Sequence, residues 1–245
     1  MPDDSLLDNP AWHALTGPHQ RFAQSRGAAR RYQPEVSFAS ALAAPWDPTD
    51  PGWSDLADLA GPGQVVTLTG AQITPPRGWD VIETGQGYQM VDIAVDAAPD
   101  PEAVALGAAD VPAILDLIAR TKPGPFLPRT IELGGYLGLR RDGELIAIAG
   151  ERMHPAGWTE ISAVATDERY RGQGLAGRLV RAVAHAIRER GDHPLLHAAQ
   201  TNINAVRLYE ALGFKTRIHT TFALLRTPTS QTGPTSQTDQ NGTDR

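Results

Sequence analysis

One segment, residues 158–191, limits the fold of this chain more than any other part of its sequence. Residues 159–166 alternate polar side chains with β-branched or small apolar ones, a pattern that predicts a β-strand. A helix is predicted after it, because apolar residues recur every fourth position on one face. These residues are Leu175, Leu179, Val183 and Ile187, and Gly191 then ends the helix as a C-terminal cap. The segment therefore predicts a strand, a tight turn and a helix.

The turn between this strand and this helix contains three glycines, Gly172, Gly174 and Gly177. Their missing side chains leave backbone N–H groups accessible at the helix N-terminus, where the helix dipole is positive. This arrangement favours a pyrophosphate group as ligand. On the glycines alone, an ordinary glycine-rich βα turn is an equally good interpretation.

The residues around the glycines resemble a known signature. The pattern Arg171-x-x-Gly174-x-Ala176 is similar to the acyl-CoA signature of the GNAT superfamily of N-acyltransferases. Residues 164–166 and 170–174 also fit the pattern of that family.

A second motif of the same family follows at the expected distance and in the expected order. It covers residues 202–214, which read Asn-Ile-Asn-Ala-Val-Arg-Leu-Tyr-Glu-Ala-Leu-Gly-Phe. The resemblance extends over residues 102–226, just over half of the chain. The chain thus resembles an acyl-CoA-dependent N-acetyltransferase.

This resemblance implies an α/β (α+β) GNAT-like fold, in which a mixed, mostly antiparallel central sheet is flanked by helices. A smaller N-terminal α+β lobe, similar to a degenerate GNAT lobe, would come first. The predicted division is residues 1–98 for this lobe, which we expect to be non-catalytic, 99–226 for the acetyltransferase domain and 227–245 for a disordered tail. Residues 97–101, with two prolines, are the candidate linker. The tail lacks apolar residues, which explains its predicted disorder.

Several further strands can be predicted from local patterns. Asp142-Gly143 separates two apolar runs, residues 136–140 and 145–149, and is a typical hairpin turn. In the N-terminal half, residues 79–83 and 88–91 are predicted as two strands, with Gly85-Gln86-Gly87 between them.

The resemblance implies acetyl-CoA as the co-substrate. The turn would hold the diphosphate, and main-chain groups at the end of the preceding strand would hold the pantetheine arm and polarise the thioester carbonyl. The residues assigned to the cofactor are Val164, Ala165, Thr166, Arg171, Gly172, Gln173, Gly174, Leu175, Ala176, Gly177, Asn202 and Tyr209.

Tyr209 occupies the position at which the family carries the tyrosine that protonates the thiolate of CoA. A phenol with a pKa near 10 matches a leaving thiolate better than it matches neutral solution, so the acid role is chemically reasonable. The alternative is a helix tyrosine that only packs its ring. Asn202 could cap the helix, bind the cofactor arm, or do both.

Two facing carboxylates are the first candidate for the general base. A hairpin in which Met153 pairs with Trp158 would place Glu151 opposite Glu160. Their repulsion would raise one pKa unless a cation, such as the ammonium group of the acceptor, lay between them. In this register Arg152 points to the other face and does not neutralise the pair. A pair of exposed edge glutamates is the alternative.

His197 is the second candidate for the general base. The resemblance places it where ribosomal-protein alanine acetyltransferases of this family carry a glutamate base, so the chain departs from that pattern here. An unperturbed imidazole, with a pKa of about 6.5, suits the deprotonation of an amine through water. A hydrogen-bonded histidine in the core is an equally good interpretation.

Composition excludes several other classes of function. The formal net charge is −6, and aromatic and basic residues are not interleaved, so we do not expect nucleic-acid binding. The chain has no cysteine, which excludes disulfides, thiolate metal sites and a cysteine nucleophile, and we predict no metal. No signal-like N-terminus or membrane-spanning apolar run is present. We therefore expect a soluble, cytoplasmic protein without a membrane partner.

The predicted function is N-acetyl transfer from acetyl-CoA to an amine acceptor by direct attack, with Tyr209 protonating the thiolate. A CoA-binding regulatory module with degenerate catalysis is the alternative from a different class of protein. The presence of both Asn202 and Tyr209 argues for the enzyme. The acceptor could be a small molecule, an amino acid or a protein N-terminus, and a homodimer is the candidate assembly.

Overall fold

The computed structural model describes residues 2–229. Its helices are α1 (Pro10–Leu15), α2 (Gly52–Ala60), α3 (Val111–Thr121), α4 (Leu175–Glu189) and α5 (Ile203–Leu212). Its strands are β1 (Ala23–Arg26), β2 (Ala29–Tyr32), β3 (Ser40–Leu42), β4 (Val65–Gly70), β5 (Asp80–Asp92), β6 (Val104–Leu106), β7 (Tyr136–Arg141), β8 (Glu144–Glu151), β9 (Trp158–Thr166), β10 (His193–Ala199) and β11 (Phe214–Arg226).

Eight of these strands form one sheet in the order β4-β11-β5-β10-β9-β8-β7-β6. Neighbouring strands are antiparallel except for β9 and β10, which are parallel. The sheet is thus mixed and mostly antiparallel, with helices on its faces, which confirms the predicted fold class. The strand, turn and helix predicted for residues 158–191 are β9, the glycine-containing turn and α4.

The N-terminal half contributes both to this sheet and to a smaller one. Strands β1, β2 and β3 form a separate three-stranded sheet, linked to β4 by one bridge between Ala39 and Thr67. Strands β4 and β5, however, lie in the eight-stranded sheet. The main sheet is therefore continuous across the boundary proposed near residue 98.

The prediction of two short strands around Gly85-Gln86-Gly87 is wrong. Strand β5 runs without a break from Asp80 to Asp92 and pairs with β11 along this whole length. A β-carbon at Gly87 would lie 2.3 Å from the ring of Phe222, so this glycine permits a close approach between strands and does not form a turn.

The predicted tail, residues 227–245, falls almost entirely outside the described residues. Its first residue is held in place, because the Thr227 hydroxyl donates to the Gly61 carbonyl at 2.6 Å and accepts from the Gln64 amide at 2.9 Å. The predicted disorder of residues 230–245 concerns residues outside the described part of the chain.

Helices α3 and α4 pack on opposite faces of the sheet. The apolar face of α4 is buried in one cluster with Ala147 and Ala149 of β8. Ile148, between them, points the other way and packs against Ile114 and Leu117 of α3. Complete burial of a leucine or isoleucine side chain contributes about 1.5–3 kcal/mol, so the apolar face explains why α4 is held on the sheet.

The N-terminal residues cover the sheet face opposite α4. On β10, Leu196 belongs to the α4 cluster, whereas Leu195 packs against Leu7. Tyr32, from the small sheet, is buried in a cluster that also contains Met153, just after β8. His197 has the same parity as Leu195 on β10, so its side chain points toward this N-terminal cover.

Candidate active site

A cleft opens where the two parallel strands separate. Strands β9 and β10 pair only as far as Ile161 and Leu196 and then diverge. The cleft has a volume of about 850 Å³. Its walls come from the free part of β9, the turn before α4, the end of β10, helix α5 and the loop at 121–125.

A β-bulge lies in the wall formed by β9. Ser162 pairs with Gly150 and Ala165 with Ile148, so that two residues, Ala163 and Val164, face one residue on β8. Ala163 has φ = 53°, a conformation that non-glycine residues adopt at a cost in free energy. Bulges of this kind redirect side chains and main-chain groups near active sites. Here the bulge turns β9 away from β10.

The turn before α4 forms an anion site at one end of the cleft. None of the six backbone N–H groups of residues 172–177 donates to an acceptor within the described part of the chain. Gly172 and Gly174 have φ values of 79° and 73°, and no atom lies within 4 Å of where their β-carbons would be. The positive end of the α4 dipole adds to the attraction for an anion. This geometry fits the pyrophosphate expected from the sequence.

Tyr209 lies in the wall of the same cleft, on α5. This helix begins after Asn202, whose side-chain oxygen accepts a hydrogen bond from the Ala205 amide at 3.2 Å. The Tyr209 ring packs edge-on to Phe214, and the residue is 7% exposed. Burial raises the pKa of Tyr209 to about 12, so the phenol keeps its proton at neutral pH. It can therefore act as a proton donor.

A buried row of polar side chains lies at the closed end of the cleft, where β9 and β10 separate. Glu160, which is 0% exposed, accepts hydrogen bonds from Nε of Arg152 at 2.8 Å and from Nη2 at 2.5 Å. The same carboxylate lies 2.7 Å from Nδ1 of His197. We call Arg152, Glu160 and His197 the polar row.

The contacts of His197 define its tautomer. The Glu160 carboxylate can only accept, so Nδ1 of the histidine carries the proton. On the other side of the ring, the Gln89 amide nitrogen lies 3.3 Å from Nε2 and also donates to the Leu7 carbonyl at 2.7 Å. Nε2 is thus the nitrogen that can accept a proton, and it faces Gln89 in this structure.

Burial raises the pKa of the Glu160 carboxyl, but the charge and hydrogen bonds of Arg152, together with His197, outweigh burial. The net result is a pKa well below the ordinary range of a glutamate. Glu160 therefore remains charged at neutral pH and is a weak base. Its contacts suit it to orient the imidazole of His197.

The expected register of the β8–β9 hairpin is wrong. The Arg152 amide donates to the Glu160 carbonyl at 2.9 Å, and the Glu160 amide donates to the Met153 carbonyl at 2.8 Å. Arg152 and Met153 therefore lie together opposite Glu160, and this extra residue shifts the alternation by one position. Arg152 consequently joins Glu160 on one face, contrary to the sequence-based expectation.

Glu151 is separated from the polar row as a result of this shift. It pairs in register with Ile161. Its carboxylate accepts from Nη2 of Arg190 at 2.7 Å and from the Gly135 amide at 3.1 Å. The structure does not bring the carboxylates of Glu151 and Glu160 together around a shared cation.

The structure brings most of the predicted cofactor residues to the cleft. The residues that line it include Val164, Ala165, Thr166, Arg171, Gly172, Gly174, Leu175, Ala176, Gly177, Asn202, Tyr209 and His197. Gln173, Glu151 and Glu160 are not among the lining residues.

Sequence reasoning missed one member of the site, Gln89, and predicted the wrong face for another, Arg152. Gln89 is 1% exposed on β5 and is oriented by Arg217, which donates to its side-chain oxygen at 3.1 Å. No local signal marks Gln89, because its partners come from distant parts of the chain.

Two further observations concern what residues 2–229 could bind. They contain no group of three or more histidine, cysteine, aspartate or glutamate side chains arranged to hold a metal ion. They also contain no helix with the length and apolar character needed to cross a membrane.

Diverging parallel strands, an anion site at a helix N-terminus and a buried tyrosine between them form the arrangement of an acyl-CoA-dependent acyltransferase. Comparisons with known proteins identify the family more closely. Residues 136–223 match the family described as FR47-like protein. A solved structure from Novosphingobium aromaticivorans, assigned to the GNAT family of acetyltransferases, is 39% identical, covers 89% of this chain and 97% of its own, and has a TM-score of 0.82. The chain belongs to the GNAT family.

Two more distant similarities accompany this one. A GCN5-related N-acetyltransferase from Kribbella flavida shares the fold, with 20% identity, a TM-score of 0.57, and coverage of 89% of this chain and 95% of its own. Mycothiol acetyltransferase from Thermomonospora curvata is 37% identical over 81 residues, which are 33% of this chain and 27% of that protein. The match thus spans about a quarter of that relative's length.

Proposed function

We propose that this protein transfers an acetyl group from acetyl-CoA to the amine of an acceptor by direct attack. The observation that carries the proposal is that one cleft is lined both by Tyr209 and by five of the six residues 172–177 whose amides are unpaired within the described part of the chain. In the reaction the amine nitrogen forms a bond with the acetyl carbon, and the carbon–sulfur bond breaks. The amine loses a proton, and the departing thiolate gains one.

The binding groups divide along the cleft. The amides at the start of α4 would hold the diphosphate of CoA, as their geometry suits an anion. The main chain of β9 at Val164, Ala165 and Thr166 would hold the pantetheine arm and supply an N–H group to the thioester carbonyl. The bulge at Ala163 supports this role, because it frees this part of β9 from pairing with β10.

Tyr209 would donate the proton to the thiolate. Burial raises its pKa to about 12, so the hydroxyl still carries its proton when the carbon–sulfur bond breaks. The hydroxyl would donate a hydrogen bond to the negative charge that develops on sulfur, so its contribution would belong to the transition state.

His197 would take the proton of the amine, and Glu160 would hold the ring for this task. Nδ1 is fixed by Glu160, so the proton must go to Nε2. The contact between Nε2 and Gln89 is long, at 3.3 Å, and must be exchanged for a contact with the amine or a bridging water. The low pKa of Glu160 favours this division of roles over one in which Glu160 is itself the base.

The His197→Gln variant tests the base. It keeps hydrogen-bonding capacity and cannot take up a proton, so we expect a lower turnover number and the loss of the acidic limb of the pH–rate profile. The profile of the variant is measured beside that of His219→Gln, a histidine that packs against Tyr88 on β5 and does not line the cleft. Full rate with an unchanged acidic limb in His197→Gln would exclude His197 as the base. If Glu160→Gln also kept full rate and this limb, the amine would lose its proton to solvent before it binds.

The overall proposal is tested by release of free CoA thiol from acetyl-CoA in the presence of an amine library. We expect release with at least one class of amine, and the product identified by its mass as the N-acetylated acceptor. CoA binding without thiol release for any amine would instead favour the regulatory module with degenerate catalysis.

A further inference from the structure

One end of the cleft carries a guanidinium group that is only partly used. Arg152 donates to Glu160 through Nε and Nη2, and Nη1 has no partner within the described residues. The Arg152 side chain is 32% exposed and lines the cleft. Two N–H groups of a permanently charged side chain are therefore available to a molecule bound there.

The charged side chains that line the cleft are all cationic. They are Lys122, Arg152 and Arg171, and no aspartate or glutamate of residues 2–229 is among the lining residues. Glu160 lies behind this surface, fully buried and already paired with Arg152 and His197. An acceptor with several ammonium groups would thus find no counter-charge in the cleft, whereas an acceptor with an anionic group would.

Two of the three cations, Arg171 and Arg152, lie at different ends of the cleft. Arg171 is in the turn before α4, beside the amides that suit a diphosphate. Arg152 lies at the closed end, because its amide bonds to Glu160, next to the last paired residue of β9. The free part of β9 between these ends, residues 162–166, extends over at most about 13 Å, at about 3.3 Å for each step between residues. An anion at Arg152 is therefore separate from the phosphates of CoA.

Arg152 also lies close to the candidate base. Its Nη2 and Nδ1 of His197 both contact the same carboxylate oxygen of Glu160, at 2.5 Å and 2.7 Å. These two nitrogens are thus no more than two hydrogen-bond lengths apart. A molecule that binds Arg152 and gives its proton to His197 would carry an anionic group as well as an amine.

We propose that the acceptor is an amino acid or a closely similar amino carboxylate, and that Nη1 of Arg152 binds its carboxylate while the amine faces the His197 side of the cleft. This inference rests on the proposed N-acetyltransferase function and narrows its substrate class. The proposal excludes polyamines and other polycations as acceptors. It also excludes protein N-termini, which carry no carboxylate beside the amine.

The test compares matched acceptors with the intact protein. The twenty amino acids and their α-carboxamides are assayed as pairs at saturating acetyl-CoA, with thiol release as the readout. For the best pair we expect kcat/KM to be about 10–100-fold higher for the acid, the effect of one hydrogen bond to a charged group. The amide has the less basic amine and is less protonated near neutral pH, so intrinsic reactivity favours the amide and opposes the expected preference.

Two variants then connect the preference with Arg152. In Arg152→Lys, which keeps the charge for Glu160 but not the forked donor, the acid-to-amide ratio of kcat/KM should fall by about 10-fold or more. In Arg171→Lys, the matched change at the other end of the cleft, KM for acetyl-CoA should change and the ratio should stay the same. The ratio cancels any general loss of activity caused by misfolding.

The acetyltransferase function and the carboxylate site at Arg152 can be disproved separately. No thiol release with any amine would overturn the proposed function itself. Release with amides or simple amines at rates equal to or above those of the acids would leave that function standing and overturn the carboxylate site. A preference for acids that persists unchanged in Arg152→Lys would assign the carboxylate to another group.

Discussion

The two ends of the cleft are built from different chemical groups. The anion site before α4 is made of backbone N–H groups, supplied by six consecutive residues in one turn. The polar row at the closed end is made of side chains, and its members come from positions 152, 160 and 197 on three elements. The first site depends on local conformation, whereas the second depends on the packing of the whole sheet.

This difference determines how each end can be damaged. Only proline removes a backbone donor, so other substitutions act on the anion site through added bulk and through changes in φ. In the polar row, the fully buried charge of Glu160 is compensated by Arg152 and His197. Removal of one partner there leaves an uncompensated charge.

The largest effect is expected at the anion site. Gly174→Trp should abolish CoA binding, because the side chain would occupy space that is now empty around the α4 N-terminus. Calorimetric titration with CoA measures the effect, and circular dichroism checks the fold. Gly143→Trp is the matched control, since Gly143 also has a positive φ, 83°, and open space around it but lies in a distant hairpin turn. Unchanged CoA affinity in Gly174→Trp would contradict the assignment of this turn.

The next largest effect is expected at Tyr209, which lines the cleft between the two ends. Tyr209→Phe should lower the turnover number by about 10²–10⁴-fold and leave KM for acetyl-CoA nearly unchanged, because the hydroxyl acts only in the transition state. Steady-state kinetics measures both constants. Tyr88→Phe, which removes a hydroxyl outside the cleft, serves as the control. A Tyr209→Phe enzyme with full turnover would make the ring purely structural.

At the polar row the main effect is on stability. Glu160→Gln should lower the free energy of unfolding by about 3–5 kcal/mol, because it leaves Arg152 without its buried counter-charge. Repulsion between facing carboxylates, the expectation from sequence, would have made this variant as stable as the parent. Urea denaturation measures the difference. Glu168→Gln, which removes an exposed partner of Arg171, should cost about 0–1 kcal/mol.

The smallest effect is the pH dependence of the difference in unfolding free energy between the parent and Glu160→Gln. The folded-state pKa of Glu160 lies below its ordinary value of 4.5, so the folded protein binds fewer protons here than the unfolded chain. The stabilisation is complete above about pH 4.5 and is lost as the pH falls below it. The gap in unfolding free energy between the parent and Glu160→Gln should therefore narrow below pH 4.5. A gap that is constant or widens there would show that the carboxylate is not the charged partner of Arg152.

The sequence predicted the local parts of this molecule well. The strand, glycine turn and helix of residues 158–191, the hairpin around Asp142-Gly143 and the helix after Asn202 all form as expected. Each of these depends on periodicity, glycine positions or capping within a few residues. The anion site shares this property, because its donors are consecutive in the chain.

The polar row could not be predicted in the same way. One extra residue at Arg152 and Met153 reverses the faces of the β8–β9 hairpin, and no local pattern marks a bulge at that point. Gln89 reaches His197 from a segment 108 residues away along the chain, and Leu7 holds Gln89 from a further 82 residues away. Similarly, Gly85 and Gly87 predict a turn, because the local sequence does not reveal that they pair with β11.

The position of β11 has a consequence for how the protein is made. This strand, the last one among the described residues, lies between β4 and β5, and these two strands of the N-terminal half do not pair with each other. On the ribosome, β4 and one edge of β5 therefore remain unpaired until about 140 further residues, including β11, have been synthesised. Unpaired strand edges are prone to pair with other chains, and long-range pairing is slow because loop closure precedes the contacts that stabilise it. The protein is thus most prone to aggregation while its N-terminal half has been synthesised and β11 has not.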